Sequence, residues 1–397
     1  MRVGLSMKGD PYGAKQTRIF LSELRSRVAD SIPLPGEFGQ QELGEGDANA
    51  KIVHPFLGFD ALSTQTQMSD DRSEDVEKDH ARFRILVVGG SVSGVFTRLG
   101  TERLTELLRA DPVLAGHEIE YLGYGRGGYK QPQQIIRLVH LLTSGIRPDL
   151  VLNLDGFNEV AIGNQNRVRG VYPTYPSFYH WMRFVRAMSS ETSVHELFRA
   201  AKGERDALVA RIDSALERDW FASALWGHFQ RASIVRQRQG VRVARTAYLR
   251  ELDGQTVAPG ALGPDFEGDA AAAIEVCLRS WKESSRQMDA LCELYGIDYL
   301  HVLQPTLHDP GAKRVSREER EKGDINANWR EGVEIGYPLL RSHGRELARE
   351  GIDFLDASLV FEAVEETLYY DACHFNRKGN RILAEAIAPA LLRLLAE

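Results

Sequence analysis

Five short apolar runs, separated by stretches in which apolar residues recur at helical spacing, constrain the fold of this chain more than any other feature. The runs cover residues 85–88, 119–122, 150–154, 297–303 and 352–355. The helical patterns cover residues 98–109, 133–142, 271–294, 339–349 and 377–395. Strands that alternate with helices along the chain are typical of a parallel sheet covered by helices on both faces. The sequence therefore predicts a three-layer α/β fold with a central parallel sheet.

The same patterns divide the chain into segments. Residues 1–81 are rich in Gly, Asp, Glu, Gln and Ser and hold one compact apolar patch, HPFLGFD, which is typical of a loosely ordered N-terminal lead segment. The domain itself is predicted to cover residues 82–397. Its connection between the third and fourth predicted strands is far longer than the ~10 to 12 residues that a crossover needs. Because much of that connection has a helical pattern, we predict a long helical insertion at about residues 161–295.

Composition argues against several classes of function and site. The net charge of -7 and the lack of any Lys/Arg block provide no basic surface, so no nucleic-acid partner is expected. Cys277, Cys292 and Cys373 lack the spacing of a disulfide framework or a zinc site and are predicted to be buried thiols. No run approaches the ~18 apolar residues of a membrane span, so no integral membrane segment is expected. The first residues lack the apolar run of a signal peptide, so the sequence as it stands is expected to be cytoplasmic, or exported or membrane-anchored if the natural product extends upstream of Met1.

Glycine and polar residues follow the predicted strands at the points where ligands usually bind. In open parallel sheets, ligands lie beyond the carboxyl ends of the strands. Ser91 follows the first strand in GGS, Gly125 follows the second in GYGRGGY, and Asn158 follows the third in DGFNE. Asp371 and His374 stand in YYDACHFNRKGN, after the fifth strand and just ahead of the last helix.

Each of these residues has an ordinary structural explanation, as a turn glycine, a helix cap or a local ion pair. Together they supply what acyl transfer requires, with Ser91 as the nucleophile and His374 as the base. Asp371, three residues before His374 on what is expected to be one helical turn, orients the imidazole in this interpretation. The Gly125 N–H, the Asn158 amide and the Ser91 N–H are the candidate donors to an oxyanion.

Three other motifs do not match the sequence. The dinucleotide fingerprint G-x-G-x-x-G needs a glycine where the chain has Ser91. The nucleophile elbow G-x-S-x-G needs a glycine where the chain has Ser93. No G-K-[ST] is present, which excludes a P-loop.

The blocks GGS, a glycine after the second strand, G-x-N and D-x-x-H resemble those of the SGNH/GDSL hydrolase superfamily. DGFNE, LQP and DxxHxNxxGN are similar to a bacterial SGNH-type group. The resemblance implies a flavodoxin-like three-layer fold, a Ser91–His374–Asp371 triad, and an oxyanion hole that includes Gly125 and Asn158. It implies no metal and no cofactor.

The chain departs from the family pattern at two letters. Gly90 stands where the family has the aspartate of G-D-S, and Glu159 stands where it has the aspartate of N-D. Neither change removes a catalytic atom. The function implied is a serine esterase that hydrolyses an acyl ester, for example O-acyl groups on a glycan or a lipid-like ester. Its expected partner is that small-molecule or glycan substrate. Two alternatives stay open, an O-acyltransferase on the same scaffold and a non-catalytic module that binds a glycan or a protein.

Overall fold

The structure is a computed structural model that describes residues 21, 22, 24, 25, 51–72, 82–182, 192–217, 224–254, 263–323 and 326–396. Most of the predicted lead segment, and with it the expected loose order there, lies outside these residues. No helix in the described ranges combines the length and the hydropathy needed to cross a membrane.

Seven strands are described, and five of them form the central sheet. In chain order the strands are β1 (Lys51–His54), β2 (Gly58–Ala61), β3 (Arg82–Gly89), β4 (Glu118–Gly123), β5 (Leu150–Asp155), β6 (Asp298–Leu303) and β7 (Phe354–Asp356). The sheet has the order β4-β3-β5-β6-β7, and every neighbouring pair is parallel. This is the flavodoxin-like order, with the first strand between the second and the third. The predicted α/β class with a central parallel sheet is confirmed.

The helices named here are, in chain order, α1 (Thr64–Asp70), α2 (Ser91–Leu99), α3 (Thr101–Arg109), α4 (Gln133–Thr143), α5 (Phe157–Val168), α6 (Thr192–Glu217), α7 (Ala224–Gly254), α8 (Ala270–Tyr295), α9 (Arg317–Gly323), α10 (Ala327–Arg349) and α11 (Arg377–Leu394). Two groups of these helices pack on the sheet. Helices α2, α3 and α11 pack on one another, and α5, α8 and α10 form a second packed group. The connection from β3 runs towards one edge of the sheet and the later connections run towards the other. Because such crossovers are right-handed, the two groups lie on opposite faces.

Two helices differ from their predicted bounds. The pattern at residues 98–109 is divided between α2 and α3 at Gly100, where a side chain would overlap the ring of Phe96. Helix α10 begins well before the predicted start, because the Asn326 side chain caps its first turn and the helix continues through Pro338. Proline is unfavourable inside a helix, so the predicted helix begins only after it, at residue 339.

The Cα positions divide the chain into two compact units. The first comprises Met1–Val53, Ala61–Ser63 and Met182–Ala261, and the second comprises His54–Asp60, Thr64–Trp181 and Leu262–Glu397. In the first unit, Phe198 of α6 and Tyr248 of α7 pack in an apolar cluster with their ring centroids 5.6 Å apart. The second unit contains the five-stranded sheet and its own core. Within the range predicted as an insertion, α6 and α7 thus belong to the first unit, whereas α8 packs in the second.

Candidate active site

Ser91 is the first residue of α2, directly after strand β3. The turn between strand and helix depends on glycine. Gly89 has φ +139°, which L side chains rarely adopt, and a side chain there would overlap the Leu154 carbonyl of β5. Gly90 follows as the N-cap residue. The turn places Ser91 Oγ at the carboxyl end of the sheet and at a helix amino terminus, whose unpaired N–H groups and dipole favour negative charge.

His374 and Asp371 complete a hydrogen-bonded chain with Ser91. His374 Nε2 lies 2.7 Å from Ser91 Oγ, and His374 Nδ1 lies 2.7 Å from Asp371 Oδ2. The other carboxylate oxygen, Oδ1, accepts the backbone N–H of Cys373 at 3.0 Å and that of His374 at 2.7 Å. Asp371 therefore orients both the imidazole and the loop that carries it. With the ring proton on Nδ1, Nε2 can accept the proton of the serine.

The backbone between Asp371 and His374 differs from the predicted helical turn. Residues 371–373 form a bend, and α11 begins only at Arg377. The bend is an Asx-type turn, because the Asp371 carboxylate accepts the N–H of the residue two positions further on. The three-residue spacing still brings the two side chains together, but it does so through this turn and not through helical geometry.

The surroundings of Asp371 and His374 shift the pKa values of both side chains. Burial would raise the pKa of Asp371, but hydrogen bonds from His374 and from two backbone N–H groups hold that pKa below its usual value. Burial would lower the pKa of His374, but the Asp371 carboxylate, together with hydrogen bonds to Asp371 and Cys373, holds that pKa well above its usual value. Because burial also raises the pKa of the Cys373 thiol, the thiol is neutral at neutral pH. The Asp371 carboxylate is then the charge that faces the ring.

Asn158 reaches the same edge of the sheet from the connection between β5 and α5. It is the second residue of α5, and its Nδ2 donates to the Tyr129 carbonyl at 2.7 Å. The same nitrogen lies against Gly90, where any side chain would overlap it. Because Nδ2 carries two hydrogens, one remains to donate to a ligand held at Ser91. Glycine at position 90 therefore leaves room for this amide.

Gly125 is the glycine of GYGRGGY that the structure brings to the start of α2. A side chain at this position would overlap Ser93 Oγ in the first turn of that helix. Gly123 and Gly128 lie against other side chains instead. The backbone of Gly125 therefore lies against the first turn of α2, and only glycine permits this approach.

Arg126 and Asp60 support this loop, and the sequence analysis missed both. Arg126 Nη1 donates to the carbonyls of Gly125 at 3.0 Å and Gly123 at 3.3 Å, and its Nε lies 3.3 Å from Asp60 Oδ1. Asp60 is buried and also pairs with the buried Arg137. The available signals were an arginine inside a glycine-rich loop and an acid at the end of HPFLGFD. No spacing in the sequence connects the two.

Glu159 ties the turn after β5 to the loop before α4. Its carboxylate accepts the N–H groups of Gly156 at 2.9 Å and Gln131 at 3.1 Å, and the Gln134 side-chain amide at 3.0 Å. Burial, followed by the nearby charge of Asp155, raises the pKa of Glu159, while the donors favour the carboxylate. Glu159 thus has a structural role in holding the turn.

A second Ser–His–Asp contact lies in the core. His301 Nε2 lies 2.9 Å from Asp155 Oδ1, and His301 Nδ1 lies 2.9 Å from Ser285 Oγ. Trp281 Nε1 donates to the same Asp155 oxygen at 2.7 Å. The side chains of His301 and Ser285 are 0% exposed, so no substrate reaches this serine. Burial, and not residue type, separates this group from the one at Ser91.

The three cysteines are buried, as predicted, and each is a free thiol in the structure. Cys277 and Cys292 lie in α8. Cys373 is different, because its Sγ lies 3.6 Å from Nδ1 of His374. The sequence analysis gave this thiol no role, although it stands next to the candidate base.

No protein-family model matches this chain, and no curated protein sequence matches it. Solved structures resemble it at low sequence identity. A GDSL-like lipase from Bacteroides thetaiotaomicron is 10% identical over 83% of this chain and 96% of that chain, with a TM-score of 0.40. A member of the lipolytic protein G-D-S-L family from Veillonella parvula is 10% identical over 78% and 99%, with a TM-score of 0.32. A carbohydrate acetylesterase family member from Sinorhizobium meliloti is 15% identical over 80% and 100%, with a TM-score of 0.32. Each of these is a likeness only.

Proposed function

We propose that this chain is a serine esterase of the SGNH/GDSL type that hydrolyses an acyl ester. The observation that carries the proposal is the hydrogen-bonded chain from Ser91 through His374 to Asp371 at the carboxyl end of a parallel sheet. Gly125 and the Asn158 amide lie at the first turn of the helix that starts at Ser91, which supports an oxyanion hole there.

The reaction begins when Ser91 Oγ attacks the ester carbonyl and its proton passes to His374 Nε2. The Asp371 carboxylate stabilises the imidazolium that forms. The Ser91 N–H, the Gly125 N–H and the Asn158 amide donate to the negative oxygen of the tetrahedral intermediate. His374 then returns its proton to the leaving alcohol, and an acyl-serine remains. Water activated by the same imidazole releases the acid and restores the serine.

The proposed substrate is a small-molecule or glycan ester, with a lipid-like ester included. Tyr370 is 44% exposed and lies parallel to the His374 ring, with centroids 5.9 Å apart. It offers an apolar surface beside the base for the acyl group or the sugar. The net charge of -7 supports the absence of a nucleic-acid partner.

A fluorophosphonate probe tests the nucleophile directly. Ser93 is the matched control, because its Oγ is buried and donates to the Gly90 carbonyl at 2.7 Å. The probe should label wild type and Ser93→Ala but not Ser91→Ala. The same three proteins should be tested on short and long acyl esters and on acetylated sugars, with the products analysed. An unlabelled, inactive wild type would contradict the proposal and favour the binding module, and acyl transfer to an added alcohol would favour the acyltransferase.

A further inference from the structure

We propose that Asp371, Cys373 and His374 together bind a thiophilic divalent cation, such as Zn²⁺ or Cd²⁺, and that the bound ion inhibits the enzyme. The inhibition rests on the serine esterase function proposed above, whereas the binding does not. Within the described part of the chain, this is the one group of at least three His, Cys or carboxylate side chains whose ligand atoms all lie within 4.8 Å of one another.

The distances fit a metal ion with few adjustments. Cys373 Sγ and Asp371 Oδ2 both approach Nδ1 of His374, at 3.6 Å and 2.7 Å. A tetrahedral zinc ion, with bonds of about 2.0 Å to nitrogen and about 2.3 Å to sulfur, holds those two ligands about 3.6 Å apart. The nitrogen–sulfur separation therefore already suits the ion. The same geometry holds an oxygen and a nitrogen ligand about 3.3 Å apart, so the Asp371 oxygen must move outward from its 2.7 Å contact with Nδ1 and make room for the ion.

The chemistry and the exposure of the three groups favour a thiophilic ion. Thiolate and imidazole ligands select zinc and cadmium over magnesium or calcium, which prefer oxygen ligands. The side chains of His374 and Asp371 are 20% and 34% exposed, so an ion can enter from their side. Cys373 is 5% exposed and supplies a ligand from beneath. The spacing Asp-x-Cys-His matches no structural zinc motif, which is why the sequence alone predicted no site.

Binding at this position removes the base from the reaction. The ion takes the lone pair of His374 Nδ1, so the ring proton moves to Nε2, and the Cys373 thiol releases its proton to solvent. Nε2 then carries a hydrogen and faces Ser91 as a donor. It can no longer accept the serine proton, so the attack on the ester is blocked.

Cobalt spectroscopy tests the binding without any assay of activity. The full-length wild type should develop a near-ultraviolet thiolate-to-cobalt charge-transfer band when Co²⁺ is added, and Cys373→Ser and Cys373→Ala should not. Cys292→Ala is the matched control, because Cys292 is also a buried thiol but lies in α8, and it should keep the band. A wild type without the band, or a band that persists in both Cys373 variants, would overturn the proposal.

Zinc titration of 4-nitrophenyl acetate hydrolysis tests the inhibition, with each protein compared with its own metal-free rate. The zinc concentration for half-inhibition should rise at least about tenfold in the Cys373 variants and stay unchanged in Cys292→Ala. Mg²⁺ should not inhibit any of them. Equal zinc inhibition of wild type and both Cys373 variants would overturn the proposed inhibition. If the wild type hydrolyses no ester, the esterase proposal fails, and the cobalt band still decides whether the metal site exists.

Discussion

At the scale of single residues, the proposed activity depends on the free volume around the oxyanion donor as well as on the triad. The Asn158 amide occupies the volume in which a side chain at position 90 would stand. The backbone at Gly90 has φ -83°, which any residue can adopt, so glycine is required here by contact and not by conformation. A change at this position therefore acts on the oxyanion donor while leaving the backbone unstrained.

Gly90→Ala should lower kcat by up to roughly 10²- to 10³-fold, because the added carbon displaces the Asn158 amide from the oxyanion. The amide is the end of a side chain and can move, so the melting temperature should change little. Gly116→Ala is the matched control, since no atom lies within 4 Å of the added carbon. Measurement of kcat, KM and Tm for both variants checks this. Full activity in Gly90→Ala would show that Asn158 has no catalytic role.

The raised pKa of His374 predicts where activity is lost in acid. A protonated imidazole cannot accept the serine proton, so kcat/KM should fall as the pH drops through a value above about 6.5, the ordinary pKa of histidine. Asp371→Asn removes the charge that helps to hold this pKa up. Its acid limb should move to lower pH, and its kcat should fall by roughly 10⁴-fold. A pH profile of kcat/KM for both proteins checks the prediction, and an acid limb at the same pH in both would contradict it.

At the scale of elements, helix α9 holds the loop that leads to the triad. Glu319 accepts the backbone N–H groups of Leu368 at 2.8 Å and Tyr369 at 3.0 Å, and it pairs with Lys313 Nζ at 3.0 Å. Both members of this ion pair are buried. Burial would raise the pKa of Glu319, but the N–H donors and Lys313 hold it below its usual value. The loop before Asp371 is thus anchored by one carboxylate.

Glu319→Gln should destabilise the protein by about 3 to 5 kcal/mol at neutral pH, because it leaves the buried Lys313 ammonium without its counter-charge. The folded-state pKa of Glu319 is depressed, so its contribution is present above the unfolded-state pKa and is lost as the pH falls through the folded-state pKa. The difference from wild type should therefore shrink in acid. Denaturant unfolding at several pH values checks this.

Glu365→Gln is the matched control for that experiment, because Glu365 pairs with Arg314 on the surface and both side chains are mostly exposed. It should change the free energy of unfolding little. A Glu319→Gln protein as stable as this control would show that α9 does not anchor the loop.

At the scale of the whole molecule, the sheet brings together residues that are far apart in the chain. Ser91 and His374 are separated by 283 positions, yet they are in hydrogen-bond contact because β3 and the loop after β7 end at the same edge of the sheet. The fold also assembles Asp155, His301 and Ser285, but it does so beneath the surface. The same three residue types therefore occur once at the edge and once in the core.

Ser285→Ala should cost about 1 to 3 kcal/mol of unfolding free energy, because it leaves the buried His301 Nδ1 without its partner. The folded protein should still react with the fluorophosphonate probe and keep its kcat. Denaturant unfolding and probe labelling of the same sample check both parts. Loss of labelling in a folded Ser285→Ala protein would contradict the assignment of this serine to the core alone.

The sequence by itself determined the fold class and the five sheet strands, and it predicted the three side chains of the candidate triad, which the structure brings into hydrogen-bond contact. Apolar runs and helical spacing are local properties of the chain, and strand ends meet at one edge in any parallel sheet. The position of Ser91 directly after the first predicted strand and the three-residue spacing of Asp371 and His374 can both be read from the sequence alone.

Only the tertiary structure decided the turn that joins Asp371 to His374, the choice of Gly125 among its neighbours, the support of that loop by Arg126 and Asp60, and the thiol beside the base. The choice of Gly125 and the support of its loop depend on contacts between residues that are distant in sequence. Such contacts produce no repeating pattern in the sequence. The thiol is adjacent to His374 in sequence, but its approach to Nδ1 depends on side-chain direction within a bend, and neighbouring letters do not encode that direction.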